Sequence, residues 1–259
     1  MILVLASIFL SGFGINSLVG VFIAASTAII LDLVIGYSKT KTWAFPQSAM
    51  ISGLFIGGLL TQNLQWYIYV FAGAAAIASK HLIKSRGKNI FNPANLGILV
   101  VSIVFGAMHS WWISSPIILV LVFGIFMIWR LRRFDLAMSF LISYYLINSV
   151  VELSKGNGFN DVYSTILNGG IIYFFSMYML IEPKTNPSQK KQRIIYGVLV
   201  AVLFVVFSQY PFFYKNAFAT FFERHSIPLA LAIGNIFVPV LNKMKLEFKK
   251  RGLEQNTAT

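Results

Sequence analysis

Apolar segments follow one another along almost the whole chain, and the charged residues are confined to the short stretches between them. They run over Ile2–Leu10, Ser17–Gly36, Pro46–Leu60, Gln65–Leu82, Asn92–Ala107, Pro116–Trp129, Phe134–Val151, Ser164–Ile181, Ile194–Ser208 and Ile227–Leu241. Since about 20 apolar residues cross a bilayer once, the pattern predicts an all-α integral membrane protein with about ten transmembrane helices. Only 11% of the 259 residues are charged and 57% are apolar. A soluble domain would carry roughly 25% charged residues, so soluble globular and disordered chains are both excluded. Several segments are short for a crossing of about 30 Å. Those that open on Pro or contain Gly pairs predict half-helices or broken helices.

The 21 Lys and Arg against 8 Asp and Glu give a net charge of +13. On a soluble protein this balance would suggest nucleic acid. Here it reads as loop charge, and no nucleic-acid partner is expected. Basic residues cluster at Lys39 and Lys41, at Lys84, Arg86 and Lys88, at Arg130, Arg132 and Arg133, and at Lys184, Lys190, Lys191 and Arg193. A last cluster comprises Lys243, Lys245, Lys249, Lys250 and Arg251. The intervening links Thr61–Leu64, His109–Ser115, Glu152–Tyr163 and Gln209–Asn216 are poor in basic charge. The alternation predicts a multi-pass protein of the cell membrane, embedded in the lipid bilayer, with basic links and C-terminus in the cytoplasm. The N-terminus is cytoplasmic too if Ile2–Leu10 crosses, and outside if it does not. Met1–Leu5 lacks a basic n-region and no small-residue cleavage site follows, so no removable signal peptide is expected. Trp66, Tyr67, Trp111, Trp112 and Tyr210 fall at segment ends, as interfacial aromatics do. The chain has no cysteine, which excludes disulfides, thiolate metal sites and Cys-ligated iron–sulfur clusters within it.

The segments divide into two sets of five. Ser48–Gly53 in the third segment corresponds to Ser164–Gly169 in the eighth, and Phe91–Ala94 in the fifth to Ser226–Leu229 in the tenth. An odd number of crossings per set gives the halves opposite orientation. That is an inverted repeat, with a site at the repeat interface near the midplane. The predicted units are a first five-helix repeat at 1–108, a second at 109–242 and a basic cytoplasmic tail at 243–259. Ser48–Gly53 and Ser164–Gly169 are expected to meet on the pseudo-two-fold axis.

Lys80–Gly97 runs from a basic link straight into a helix start. Pro93 suits the first helical turn, and Asn92 is a natural N-cap. Free N–H groups and partial positive charge gather there, beside amides at Asn89, Asn92 and Asn95 that can donate and accept. Spacing alone leaves two readings: a capped helix that simply begins at the interface, or a site for a polar, planar or anionic ligand. Gly53, Gly57, Gly58, Gly169 and Gly170 permit close approach of helices or of a flat ligand. Glu182, next to Pro183, sits unfavourably at a helix C-terminus and is expected to pair with Lys184 or Arg193. Asp32, the one acid well inside a segment, is a functional candidate or an anchor paired with Lys39 or Lys41. His81, His109 and His225 fall at membrane edges, which disfavours a bis-histidine haem. No metal site is expected, and no catalytic constellation stands out.

Gly87-Lys88-Asn89-Ile90-Phe91-Asn92-Pro93-Ala94-Asn95-Leu96-Gly97 resembles the NxFNPAxxG signature of the NqrB/RnfD family. These are membrane subunits of sodium-pumping NADH:quinone reductase and of the Rnf ferredoxin-linked complex. Phe45–Leu54 resembles the family's third helix, Phe175–Pro187 its FFxATDPVTxP segment, and Gly234–Asn242 its closing ANxxxPLID. The resemblance implies a urea-transporter-like fold of ten helices in two inverted five-helix repeats, and a bound flavin, riboflavin or FMN. The family attaches FMN to a Thr in an SGAT motif. This chain has no SGAT, and Glu182 and Asn242 stand where the family has Asp, so a non-covalent flavin is expected. The residues expected around it are Asn89, Asn92, Pro93 and Asn95, with Ser48, Ser52 and Gly53 from the third segment and Asn168 and Gly169 from the eighth. The function implied is that of a membrane subunit of a flavin-linked electron-transport complex that drives ion translocation. It would work with other membrane or peripheral redox subunits, because the chain has no nucleotide-binding motif and no iron–sulfur ligands. The residues also allow an alternative, a channel or transporter for a small neutral solute.

Overall fold

The apolar segments are helices, and most of their ends fall within a few residues of those predicted. The structure is a computed structural model that describes residues 1–85, 87–213 and 216–256, the side chains of 210–213, 217 and 244–256 excepted. It opens with α1 (Ile2–Leu10), α2 (Ser17–Thr40), α3 (Gln47–Leu59) and α4 (Trp66–Leu82). A two-stranded antiparallel hairpin, β1 (Lys84–Ser85) and β2 (Lys88–Asn89), follows. Then come α5 (Pro93–Phe105), a 3-10 turn at Trp112–Ser114, α6 (Ile117–Leu131), α7 (Phe134–Ser154) and α8 (Phe159–Leu167). Next, α9 (Gly170–Phe174) runs into a π-helical turn at Phe175–Met179, and α10 (Lys190–Phe213), α11 (Ala217–Arg224) and α12 (Ser226–Asn256) complete the chain.

Among the described residues, four helices are long and apolar enough to cross a membrane: α2, α7, Lys190–Gln209 of α10 and Ser226–Lys243 of α12. Gln47–Leu59, Pro93–Phe105, Ile117–Leu131 and Gly170–Met179 are apolar but shorter. The 13 residues of α3 and of α5 rise only about 20 Å each, against about 30 Å of hydrocarbon. The 9 residues of α1 rise about 14 Å. The chain is thus a multi-helix membrane protein in which full-length helices are mixed with shorter ones. Phe22, Phe71, Ile118, Ile142 and Val206 are exposed on its flanks, as suits a lipid-facing surface.

Packing follows from small residues where helices touch. α2 lies on α3 and α4, and α4 on α5; α7 lies on α10, and α10 on α12; α5 meets α12. Gly53 and Gly57 bring α3 against the backbone of α2: a Cβ at either would lie within 2.4 Å of an α2 Cα atom. Trp111 and Trp112, predicted as interfacial, are instead core residues, 3% and 1% exposed. The cause is the fold-back of their loop over the C-terminal end of short α3. The N–H groups of Ser110 and Trp111 donate to the Leu59 carbonyl, Thr61 N–H donates to the Met108 carbonyl, and the Trp112 indole N–H donates to the Gly57 carbonyl at 3.1 Å. The indoles fill the space α3 leaves. Trp66 and Tyr67 remain exposed as predicted, and the Tyr210 side chain lies outside the described residues.

The predicted segment Ser164–Ile181 is broken. Ser164–Leu167 belongs to α8, which has no buried residue, and the chain turns at Asn168–Gly169 before α9 begins. Glycine permits this turn: a Cβ at Gly170 would lie 2.7 Å from the Ser114 carbonyl oxygen. Ser164 is exposed on α8 and Gly53 faces α2, so the expected meeting of Ser48–Gly53 with Ser164–Gly169 is replaced by another contact. The two segments touch through Phe55 and Phe174, with ring centroids 5.5 Å apart.

Candidate functional site

The helix start at Asn92 forms as the sequence predicts. The Asn92 side-chain oxygen accepts the Asn95 backbone N–H at 3.1 Å, and Pro93 occupies the first turn. The cap is also a joint between the N- and C-terminal parts of the chain. Asn92 Nδ2 donates to the Met179 carbonyl at 3.4 Å, at the end of the π-helical turn. Asn95 Nδ2 donates to the Pro228 carbonyl at 2.9 Å. Asn235 of α12 meets the cap from the other side. With its amide oriented to satisfy its neighbours, it accepts Asn92 N–H at 3.1 Å and donates to Tyr196 and to the Thr185 carbonyl. Asn92, Asn95 and Asn235 are 4%, 0% and 0% exposed. These amides tie α5 to α12 and to the π-helical turn, while Asn95 Oδ1 has no partner among the described residues.

A pocket of about 290 Å³ opens beside this joint, at the end where the basic links gather. Lys88 and Asn89 of the hairpin, Lys184 and Asn186 of the Pro-flanked turn, and Asn242 and Lys243 of α12 line it, with Ile90, Val238 and Pro239 as apolar wall. Asn186 is 1% exposed. Its Nδ2 donates to the Glu182 carbonyl at 2.9 Å, while its Oδ1 has no partner among the described residues. The Asn242 Oδ1 accepts Ser188 N–H at 3.2 Å, which leaves its NH2 group to donate. Lys88 Nζ donates to the Ser188 hydroxyl at 3.3 Å and so bridges the hairpin to the second half.

Glu182 stands behind Asn186 without the ion pair expected of it. Arg193 is taken by Asp135, Nε to Oδ2 at 2.7 Å, and among the described residues the Glu182 carboxylate has only the Thr185 hydroxyl at 3.4 Å. Burial pushes its carboxyl up from 4.5 to about 7, against the opposing pull of Lys184. Between those two values the folded chain keeps a proton that the unfolded chain loses, so stability falls as pH rises through the window. The slope is at most about 1.4 kcal/mol per pH unit. Melting of the detergent-solubilised protein at about pH 5 and about pH 7 should show the loss, and Glu182→Gln should flatten it. An unchanged slope in the variant would remove Glu182 as the cause.

The other predicted positions lie elsewhere. Ser52 donates to the Ser48 carbonyl within α3 at 3.0 Å, and Gly53 is pressed on α2. Asn168 and Gly169 line a second pocket, of about 450 Å³, with His109, Trp111, Thr165 and Arg224. Here Trp111 Nε1–H donates to His109 Nδ1 at 2.9 Å. His109 Nε2 therefore carries the proton and donates to His225 Nδ1 at 3.2 Å. Burial, then His225, holds His109 down at about 4, and burial, then Arg224, lowers His225. Asp32 pairs with neither Lys39 nor Lys41. Its partners are Lys80, Nζ to Oδ2 at 2.6 Å, and His81, Nε2 to Oδ1 at 2.6 Å. Lys39 reaches the cluster through His81 Nδ1 at 3.3 Å.

Comparison with known proteins places the helix start in a wider context. The pattern of the NQR2, RnfD, RnfE family matches residues 1–116. That stretch includes the hairpin, Asn89, Asn92, Pro93 and Asn95. The likeness to that family is thus confined to residues 1–116. One subunit of the ion-translocating oxidoreductase complex of Yersinia enterocolitica is 31% identical over 105 residues, 39% of this chain and 30% of that protein. Its counterpart in Pectobacterium atrosepticum is 31% identical over 118 residues, 44% and 33% of the two chains. In Cronobacter sakazakii the identity is 33% over 105 residues, 39% and 30% of the two chains. The matched part thus spans about a third of the length of these curated relatives. The matched segment supplies the Asn92 cap and one wall of the pocket. The partners Tyr196, Asn235, Asn186 and Asn242 lie beyond the matched residues. Their sequence signal was faint: an Asn within the apolar run of α12, and another between Pro183 and Pro187.

Proposed function

We propose that this chain is a membrane subunit of a flavin-linked electron-transport complex whose redox chemistry drives ion translocation. One observation carries the reading: the family-matched helix start at Asn92 borders a pocket where Asn89, Asn186 and Asn242 face an apolar wall of Ile90, Val238 and Pro239. The relatives named above are subunits of ion-translocating oxidoreductase complexes, and partner redox subunits for this chain follow from that likeness.

The pocket residues suit a flavin. The amides of Asn89 and Asn186 that line it are of a kind that can pair with a flavin imide or ribityl hydroxyl. Ile90, Val238 and Pro239 offer an apolar wall to a flat ring. Of the predicted amides, Asn89 lines the pocket. Asn92, Pro93 and Asn95 stand behind it; the Asn92 and Asn95 Nδ2 groups are taken by the Met179 and Pro228 carbonyls, and Asn95 Oδ1 has no partner among the described residues. Ser48, Ser52, Gly53, Asn168 and Gly169 fall outside this proposed site. When bound, flavin supplies one- and two-electron chemistry; the protein supplies position and electrostatics. Asn89 and Asn186 orient the ligand, the apolar wall limits water, and Glu182, with its carboxyl near neutral, can hold or release a proton behind Asn186.

The units 1–108 and 109–242 are read as inverted halves. The packing of α2 on α4 on α5 runs parallel to that of α7 on α10 on α12, which supports this reading, as does the half-length of both α3 and the α9 segment. Basic links and C-terminus are assigned to the cytoplasm. The chain has no cysteine, so single cysteines report cleanly. Those replacing Lys88, Arg132 or Lys190 should resist an impermeant thiol reagent added outside, and one replacing Gly156 should react. Reaction at Lys190 from outside would invert the assignment.

The function itself is tested by precipitating the purified protein in acid. A yellow supernatant is expected. Colour kept on the polypeptide would show a covalent flavin, and a colourless protein that passes small solutes in vesicles would make it a channel.

A further inference from the structure

At the two-residue link 132–133, between α6 and α7, the fold gathers more positive charge than it neutralises. The Arg193–Asp135 ion pair, Nε to Oδ2 at 2.7 Å, brings the first turn of α10 against the first turn of α7. Arg193 is fixed further by donating from Nη1 to the Ser188 carbonyl at 2.9 Å. Both side chains are largely buried, so the Asp135 carboxylate is spent on Arg193. Arg133 stands beside this pair with no carboxylate of its own. Its Nε is buried and has no hydrogen-bond partner among the described residues. Burial, then the charge of Arg193, holds Arg133 below its usual range, against the pull of Asp135. One carboxylate thus serves two guanidiniums. Arg132, next in the chain, and Lys190 and Lys191 at the start of α10 are exposed and add to the surplus.

A half-buried guanidinium without a counter-charge calls for an anion, and the surroundings say which kind. Trp129 in the last turn of α6 and Phe134 at the start of α7 are exposed, as is Phe126 one turn before Trp129. The Phe126 and Trp129 rings lie 6.1 Å apart. The basic link therefore borders a lipid-facing aromatic surface, the level at which headgroups give way to acyl chains. We propose that Arg133, with Arg132 and Lys190, holds the phosphate of an anionic phospholipid in the leaflet at this end of the helices, its acyl chains lying along Phe126, Trp129 and Phe134. A guanidinium meets a phosphodiester with paired N–H donors. A zwitterionic headgroup would bring a further ammonium to a place already in surplus, so the site prefers a headgroup of net negative charge. Loop charge that merely orients a chain in the membrane needs no particular residue; this site needs Arg133.

Full-length protein, delipidated in a non-ionic detergent, is titrated with brominated phosphatidylglycerol and brominated phosphatidylcholine, and the quenching of Trp fluorescence is followed. At low salt phosphatidylglycerol should bind about tenfold more tightly or better, and Trp129→Phe should remove the saturable quenching. Arg133→Gln should weaken phosphatidylglycerol about fivefold or more. Lys41→Gln removes a charge of the same sign at the end of α2 and should shift it by less than about twofold. Phosphatidylglycerol should raise the melting temperature of the wild type and not that of Arg133→Gln. Without lipid, Arg133→Gln should melt no lower than the wild type, because it gives up an unpaired cation. Equal affinity for the two lipids would overturn the proposal, as would equal losses in Arg133→Gln and Lys41→Gln, the mark of diffuse attraction. An Arg133→Gln protein that melts well below the wild type without lipid would also overturn it, by giving Arg133 a structural partner. Relief of the quenching by millimolar inorganic phosphate at constant ionic strength would reassign the cations to a soluble anion.

Discussion

Gly57→Val is expected to leave little folded protein after detergent extraction. A Cβ at this position would lie 2.3 Å from the Cα of Val21 and 2.7 Å from its N. A side-chain tip could swing aside, but the backbone of α2 cannot. Overpacking against yielding side chains costs about 1–3 kcal/mol, and contact with backbone places this substitution at or above about 3 kcal/mol. Gly53 faces the same helix, 2.4 Å from the Ala25 Cα, and should behave alike. Gly36 is the control: a Cβ there meets nothing within 4 Å, and Gly36→Ala within α2 should stabilise by about 0.5–1 kcal/mol. Size-exclusion profiles after a heating series give the ranking. A Gly57→Val protein that melts with the wild type would mean that α2 and α3 do not touch as described.

Asp32→Ala is expected to be nearly as damaging, for an electrostatic reason. Removing the carboxylate strands Lys80 and His81, which both bond it at 2.6 Å. Breaking a buried pair by deleting one partner costs about 3–5 kcal/mol. The Lys80 side chain is 16% exposed and can lean toward the interface, which brings the expected loss to about 2–4 kcal/mol. Because most of that loss is the uncompensated ammonium, Asp32→Ala/Lys80→Ala should recover a good part of it. A double variant as unstable as the sum of the singles would show the two groups to be uncoupled.

The helices were legible because lipid imposes a simple rule on sequence: apolar runs bounded by charge or by Pro and Gly. That rule found α1 to α7, and it found the Asn92–Pro93 start, since a cap is a local matter. It failed where the decisive contact is distant. Ser164–Ile181 reads as one apolar run, but Gly170 must sit under the Ser114 carbonyl, and that neighbour is invisible in sequence. Trp111 and Trp112 look interfacial by composition; their burial depends on a fold-back onto α3. Asp32 was seen as an ion-pair residue, yet its partners come from α4, 48 and 49 positions away. In the candidate site, Asn89 and Asn92 were legible as a motif. Asn235 and Tyr196 complete the joint from 39 residues apart on two other helices, and the orphaned oxygen of Asn186 is a property of the packed state alone.

The central claim is that a non-covalent flavin sits between the hairpin, the Asn186 turn and α12. An experimental density map of the purified protein, prepared with FMN present, tests it most directly. Flat density is expected in that pocket, beside Asn186 and Asn89, with no link to the chain. Flavin density in the second pocket, joined to Thr165, or an empty first pocket in a protein that otherwise folds as described, would contradict it.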